Sequence, residues 1–209
     1  MSDQAITATT GERSGRREQN KAENRAALLK AARTVFADIG YGAAGVRDIV
    51  RRTDLASGTF YNYFKDKTEI FEAVVAEMTA ELLTLHRNGR SKARTAEEFV
   101  RAHCSTYFHY VVEDPEVLAF GRNNVGPIRM LIDKPNLRGM AQIFYDDVRS
   151  AMSRGILPEV DATYFVAALS GIVFELSVVM VSRDPVDPDG ATDFATRLLM
   201  GGLAKLPKR

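Results

Sequence analysis

Between Gly45 and Lys67 the chain reads GVRDIVRRTDLASGTFYNYFKDK, and this stretch admits few folds. Val46, Ile49 and Val50 fall on one side of a short helix over Val46 to Arg52. Thr53-Asp54-Leu55-Ala56 breaks the pattern. Ser57 suits the N-cap of a second short helix, to which Phe60, Tyr61 and Phe64 give apolar contacts. Lys65-Asp66 interrupts again. A long helix then runs from near Lys67 to about Arg87, with Ile70, Phe71, Val74, Val75, Met78 and Leu82 inside it. Upstream, from Asn20, Leu28, Ala32, Val35, Phe36 and Ile39 mark one stripe of a 3.6-residue period, and Gly40 stands at its C-terminal stop. Two short helices with a helix before and a helix after predict a helix-turn-helix head over residues 20–67.

No stretch alternates with period two for long enough to make a strand, so the fold class is all-α. Further helices are expected at Thr95–Glu113, Pro115–Val125, Pro135–Gly155, Pro158–Arg183 and Asp189–Lys205. Pro115, Pro135 and Pro158 sit near starts, where proline is tolerated. Short connections favour antiparallel packing. Residues 68–209 therefore form a helical body, and residues 1–19, polar and without a hydrophobic period, are expected to be a mobile arm. The arm's basic cluster is Arg13, Arg16, Arg17 and Lys21, read either as a phosphate-tracking group or as a solvated tail.

The charge is divided along the same line. Residues 1–67 hold twelve Lys and Arg against eight Asp and Glu, whereas the remaining 142 hold sixteen against nineteen. A basic third on a mildly acidic body implies two jobs on one chain. The single cysteine, Cys104, excludes an intrachain disulfide and a cysteine-rich zinc site. The first residues lack the apolar run of a secretory signal. The longest apolar region, Tyr164 to Val181, holds Ser170, Gly171, Glu175 and Ser177, and a carboxylate there would be costly in lipid. A cytoplasmic protein without a membrane partner is expected.

The chemistry concentrates in the second short helix. A reading helix must enter a major groove about 12 Å wide. Gly58 and Thr59 are small enough to let the helix start approach the DNA backbone, where Ser57 and the first amides suit a phosphate. Tyr61 and Tyr63 carry hydroxyl donors, and Asn62 lies between them. Phe60 and Phe64, four apart, share the inward face. Arg47 opens the preceding helix within reach of a base edge, with a surface pair to Asp48 or Asp66 as the plainer reading. Lys67 falls near where the DNA backbone would pass. Arg51 and Arg52 read as a solvated face.

From Lys21 to Lys67 these residues resemble the tetracycline-repressor (TetR) family of transcription regulators. The resemblance rests on Phe36 with Gly40-Tyr41, on Val46-x-x-Ile49, and on SGTFYNYFKDK, close to the family's S-x-G-T-x-Y-x-Y-F-x-x-K. Gly45 departs from the usual Ser or Thr and forfeits a side-chain cap and a phosphate contact. Asp54 stands where the turn often has Gly. The resemblance implies a homodimer that binds a palindromic operator in double-stranded DNA, most often as a repressor. It also implies release by a small effector bound in the body, and no cofactor or metal.

In the body, the helix over 158–183 is apolar on nearly every side and must be covered on two. Phe165, Leu169, Ile172, Val173, Leu176 and Met180 form one broad face. Ala167, Ala168, Gly171 and Val178 form a flatter face for a dimer contact, joined by Phe194 and Leu198 of the final helix. Two heads about 34 Å apart would then meet successive major-groove faces. Phe99, His103, Tyr107, Tyr110, Phe120 and Phe144 are candidate lining for an apolar or amphipathic ligand, unless they are plain core. Arg122, Asn123 and Arg129 are candidate anchors, and Glu175 belongs either to the pocket or to the dimer contact. Catalysis is not expected. His103 and Cys104 are helix neighbours that point apart, and there is no HExxH pattern, phosphate loop or nucleophile elbow. The competing reading is a helical small-molecule-binding protein that does not recognise a DNA sequence, against which the intact block 57–67 argues.

Overall fold

The computed structural model describes the backbone of residues 4–90, 92–131 and 135–206, with side chains at 15–87, 92–131 and 142–206. Among the described residues the elements are all helical: α1 (Gln4–Ala43), α2 (Val46–Val50), α3 (Ser57–Phe60), α4 (Lys67–Arg90), α5 (Ala96–Glu113), α6 (Pro115–Asn123), α7 (Val125–Leu131), α8 (Pro135–Ser153), α9 (Ala162–Val181) and α10 (Pro188–Leu203). They form two compact units, Met1–Val74 and Val75–Arg209.

In the first unit Leu28, Ala32, Val35 and Phe36 of α1 are buried, with Ile49, Val50, Phe60, Phe64, Ile70, Phe71 and Val74. The division falls two turns inside α4, after residue 67, because Ile70, Phe71 and Val74 belong to this core. Gly40 takes φ 73°, a backbone that L side chains rarely adopt, and there the regular helix is interrupted. Tyr41 then packs on Phe71 at 4.7 Å, and Phe71 meets Phe36 edge-on at 5.0 Å.

Three expectations for this unit need correction. The chain before Asn20 is not an irregular arm: α1 continues helically back to Gln4. Ile39 is 49% exposed, because on that last turn the buried side has shifted to Ala37 and Gly40. Ser57 is the first residue of α3, not its cap. The cap position is Ala56, extended at ψ 147°, and no side chain bonds to the helix start.

In the second unit α5 packs between α9 and α10, with α6 also against α5 and α8 against α9. Phe99, Val100, Phe108, Val111, Val148, Leu169 and Val173 lie at its centre. Local chemistry fixes the helix starts. Thr95 accepts the Glu98 N–H, Asp161 those of Thr163 and Tyr164, and Asp187 that of Gly190. The Asp161 cap explains why α9 starts at Ala162 and not at Pro158. The unexpected α7 follows Asn124, which is fully buried and donates from Nδ2 to the Phe120 carbonyl at 2.8 Å.

Candidate nucleic-acid interface and body interior

The head presents α2 and α3 through a short turn held by Thr53, whose hydroxyl donates to the Val50 carbonyl at 2.9 Å and accepts the Leu55 N–H. Helical bonding continues past α3: the N–H groups of Tyr63 and Phe64 both reach the Phe60 carbonyl at 3.0 Å. Phe60 and Phe64 are thereby turned inward, at 0% and 3% exposure. The outward side carries Ser57, Gly58, Tyr61 and Asn62, all exposed, with Thr59 and Tyr63 half-buried. Tyr61 stands 62% exposed with its ring edge-on to Phe60 at 5.3 Å.

Arg47 is exposed and makes no ion pair among the described residues. Its neighbour Asp48 is otherwise engaged, accepting the Gly45 N–H at 2.8 Å. That bond is one half of a capping box, with Asp three residues after the cap. It supplies part of the cap that Gly45 has no side chain to make. The sequence held this signal, an acid at the third helical position, and reading only the missing Ser or Thr overlooked it. Of the pair expected to be solvated, Arg51 is exposed, whereas Arg52 bonds Asp38 of α1 at 2.7 Å.

Lys67 departs from its expected role. Its ammonium donates to the carbonyls of Tyr41 and Ala44 at 2.7 and 2.8 Å and lies 4.4 Å over the Tyr41 ring. A cation on the last carbonyls of α1 is favoured by the helix dipole. Lys67 is therefore a clamp between the start of α4 and the end of α1, not a freely presented phosphate contact. The group left on the surface is one unpaired guanidinium with hydroxyl and amide donors. These are the groups that contact phosphate oxygens and base edges.

The body interior holds a polar seam. His86 of α4 and His103 of α5 are 3% and 4% exposed and stack face to face, centroids 4.3 Å apart and planes 9° apart. Phe144 of α8 continues the stack on His103 at 4.9 Å. One turn along α5, burial beside the Ser177 hydroxyl pushes the Tyr107 phenol up to about 12. Ser177 donates in turn to the Phe174 carbonyl at 2.6 Å. Burial likewise pushes the Cys104 thiol up to about 12, with Thr196 and Arg101 opposing. A thiol so protonated is no nucleophile at neutral pH. Tyr110 donates to Glu81 at 2.7 Å.

The ligand candidates thus separate. Phe99, His103, Tyr110 and Phe120 are interior, and Tyr107 and Phe144 are half-buried. Arg122, Asn123, Arg129 and Glu175 are exposed and line nothing in the interior. Long polar ends on short helices turn to water, and Glu175 sits on the outer side of α9. His86 and Ser177 join the seam unforeseen, since a lone polar residue in a helical run does not announce its neighbours.

Ala167, Ala168, Gly171, Phe194 and Leu198 are exposed and Val178 is half-buried. Tyr164, Val179 and Phe194 are 74%, 46% and 59% exposed. Between α9 and α10 lies an apolar groove of about 520 Å³, lined by Tyr164, Ala168, Ile172, Leu198, Leu199 and Leu206 among others. By length and composition α9 could cross a membrane, but Glu175 breaks its outer face.

A family model described as bacterial regulatory proteins, tetR family, matches residues 28–74. It begins at Leu28, the first fully buried residue of α1, and ends where the first unit ends. The HTH-type transcriptional activator FasR of Mycolicibacterium smegmatis is 27% identical over 218 residues, 99% of this chain and 98% of its own. The fatty acid degradation regulator FadR of Bacillus halodurans has a similar fold, with TM-score 0.71 and 21% identity over 88% of this chain and 97% of its own. So has the transcriptional regulator FadR of Bacillus subtilis, solved with stearoyl-CoA, with TM-score 0.71 and 22% identity over 84% and 97%.

Proposed function

For this chain, a transcription regulator of the TetR family, we propose the following control: a homodimer binds a palindromic operator as a repressor and leaves it when a fatty acyl-CoA enters the body. The observation that carries the DNA reading is the unpaired Arg47 presented beside Ser57, Gly58, Tyr61 and Asn62. The effector class is supported by the apolar body, by its few interior polar groups, and by relatives named for fatty acid regulation. An acyl chain suits Phe99, Phe108 and Phe120, while His103 and Tyr107 offer N–H and O–H donors to a thioester carbonyl. Arg122 and Arg129, on the surface of α6 and α7, offer cations to a phosphorylated headgroup left outside.

Regulation follows from linkage. If an acyl-CoA favours a dimer that fits the operator poorly, DNA must lower acyl-CoA affinity by the same factor. Helix α4 contributes residues to both units and is the covalent route for that coupling. The protein is to be titrated by fluorescence anisotropy against duplexes tiled from upstream of its own gene, with and without stearoyl-CoA. Saturable binding of two protomers to one tile, lost in Arg47→Ala and Tyr61→Ala and weakened by stearoyl-CoA, is expected. Unchanged affinity in both variants would sink the contact set. Unchanged affinity with stearoyl-CoA would sink the effector alone. A promoter fusion reads the sign, since an activator, like the mycobacterial relative, would lose expression on deletion of the gene.

A further inference from the structure

We propose that the N-terminal extension of α1 is a second DNA-contacting element, a basic helical arm lying along phosphates beside the site that α2 and α3 read. The proposal rests on the DNA-binding reading above and extends it to a part of the chain outside the family match, which starts at Leu28.

From Gly15 to Glu23 every residue is exposed, and continuous burial in α1 starts only at Leu28. A polar helix packed against nothing draws no stability from burial, and isolated helices of such length are marginal in water. Its charges have an order. Arg17, Lys21 and Arg25 recur every four residues, and Arg13 continues the series in sequence. Arg17 stands eighteen residues, five whole turns, before Val35. Lys21 stands seven before Leu28, and Arg25 seven before Ala32. Positions so related share one helix face. The basic series therefore prolongs, beyond the core, the side of α1 that buries Leu28, Ala32 and Val35. Glu23 falls on the far side, where Gln19 donates to it at 3.0 Å.

Like charges four apart oppose helix formation, so the series does not serve the helix itself. An anion laid along it removes that repulsion. Arg25 lies 5.3 Å over the Phe64 ring, which fixes the near end of the series beside the segment that carries Tyr61 and Asn62. From Arg25 to Arg17 the helix spans about 12 Å at 1.5 Å per residue, room for several phosphates of one strand at about 3.4 Å of axial rise each. The partner that fits a basic series so placed is the duplex already against α3.

Phosphate contacts are read from salt. Affinity of the full chain is measured by anisotropy for a fluorescein-labelled 30-base-pair duplex of random sequence, over a salt series. Each lost contact flattens the plot of log affinity against log salt by about 0.9. Arg17→Ala/Lys21→Ala is therefore expected to flatten it by about 1.8, with an unchanged melting temperature because both side chains are exposed. Arg17→Lys, which keeps the charge, is expected to retain the parent slope. A double variant with the parent's slope and affinity overturns the proposal while leaving the head's contacts standing. A parent that binds no duplex overturns the DNA reading itself, which is a different outcome.

Discussion

Replacing Lys67 with Met separates a clamp from a DNA contact. In the structure the ammonium serves two carbonyls, Tyr41 O and Ala44 O, and sits over the Tyr41 ring. Hydrogen bonds from a charged group contribute about 1.5–3 kcal/mol each, and Lys67 is half-buried, so the low end applies. Methionine keeps most of the stem but leaves both carbonyls without this donor. Ala44 is only 3% exposed, so water replaces the loss poorly there. The sum is about 3 kcal/mol. For a chain of this length melting as one unit, that lowers Tm by about 6–12 °C, and by about twice as much if the head melts alone. The chain has no Trp, so the melt is followed by far-ultraviolet circular dichroism. The companion readout is the salt slope of DNA binding at a temperature where both proteins are folded. A clamp predicts a slope changed by much less than the 0.9 of one phosphate contact. A Tm within 1–2 °C (roughly the effect of a surface substitution) together with a slope flattened by about 0.9 would refute the reasoning.

Cys104 should be silent to thiol reagents in the native protein at pH 8 and react fully in guanidinium. Its raised pKa also makes stability fall with alkali. The unfolded thiol, at an ordinary 9.0, loses its proton first, so the contribution is whole below pH 9 and is lost as pH rises towards about 12. Tyr107 adds a loss over pH 10 to 12 by the same sign, and Tyr107→Phe should reduce that alkaline slope in a urea titration. Gly121→Ala should destabilise by about 1–2 kcal/mol, because its Cβ would stand 2.9 Å from the Phe174 ring. Phe174→Leu in the same chain should recover most of the loss, and a neutral Gly121→Ala melt would show that α6 and α9 move apart freely.

The head was legible because its signals were redundant. The stripe Leu28, Ala32, Val35 and Phe36, the break at Gly40 and the pair Phe60 and Phe64 each imply the same packing, and all but Gly40 carry large side chains whose burial decides it. Exposure of Arg47 and Tyr61 followed from the same periodicity. What failed was the destination of groups whose partners lie far along the chain. Lys67 reaches back 23 and 26 residues to two carbonyls, and backbone acceptors leave no mark in a sequence. The body shows the same limit. Helix positions could be read, but α5 carries apolar residues on several faces, so its pairing with α9 and α10 was not readable. The stack of His86 on His103 depends on that pairing. Arg122 and Arg129 were assigned inward by chemistry alone, and chemistry does not fix helix phase.

The outer side of α9 and α10 makes the strongest demand on a partner. Tyr164, Val179, Phe194 and Leu198 are all more than two-fifths exposed, on helices whose other sides hold the core. Large apolar side chains gathered in this way mark an interaction surface. Ala167, Ala168 and Gly171 lower the profile of α9 between them, so a second helix can approach closely. A two-fold contact would double every residue, which is how a face of this modest extent reaches the roughly 1,200–2,000 Å² of a stable interface. Leu198→Glu then places two carboxylates in that contact. An unpaired charge buried at an interface costs about 3–5 kcal/mol, and two copies weaken the dimer by at least a thousandfold. Sedimentation velocity at micromolar concentration should show the parent as a dimer and Leu198→Glu as a 23.1 kDa monomer. Operator binding should weaken in parallel, because each head then binds its half-site alone, while the far-ultraviolet spectrum stays the same. A Leu198→Glu protein that remains dimeric would move the interface off this face and leave its exposed aromatic residues to a different partner.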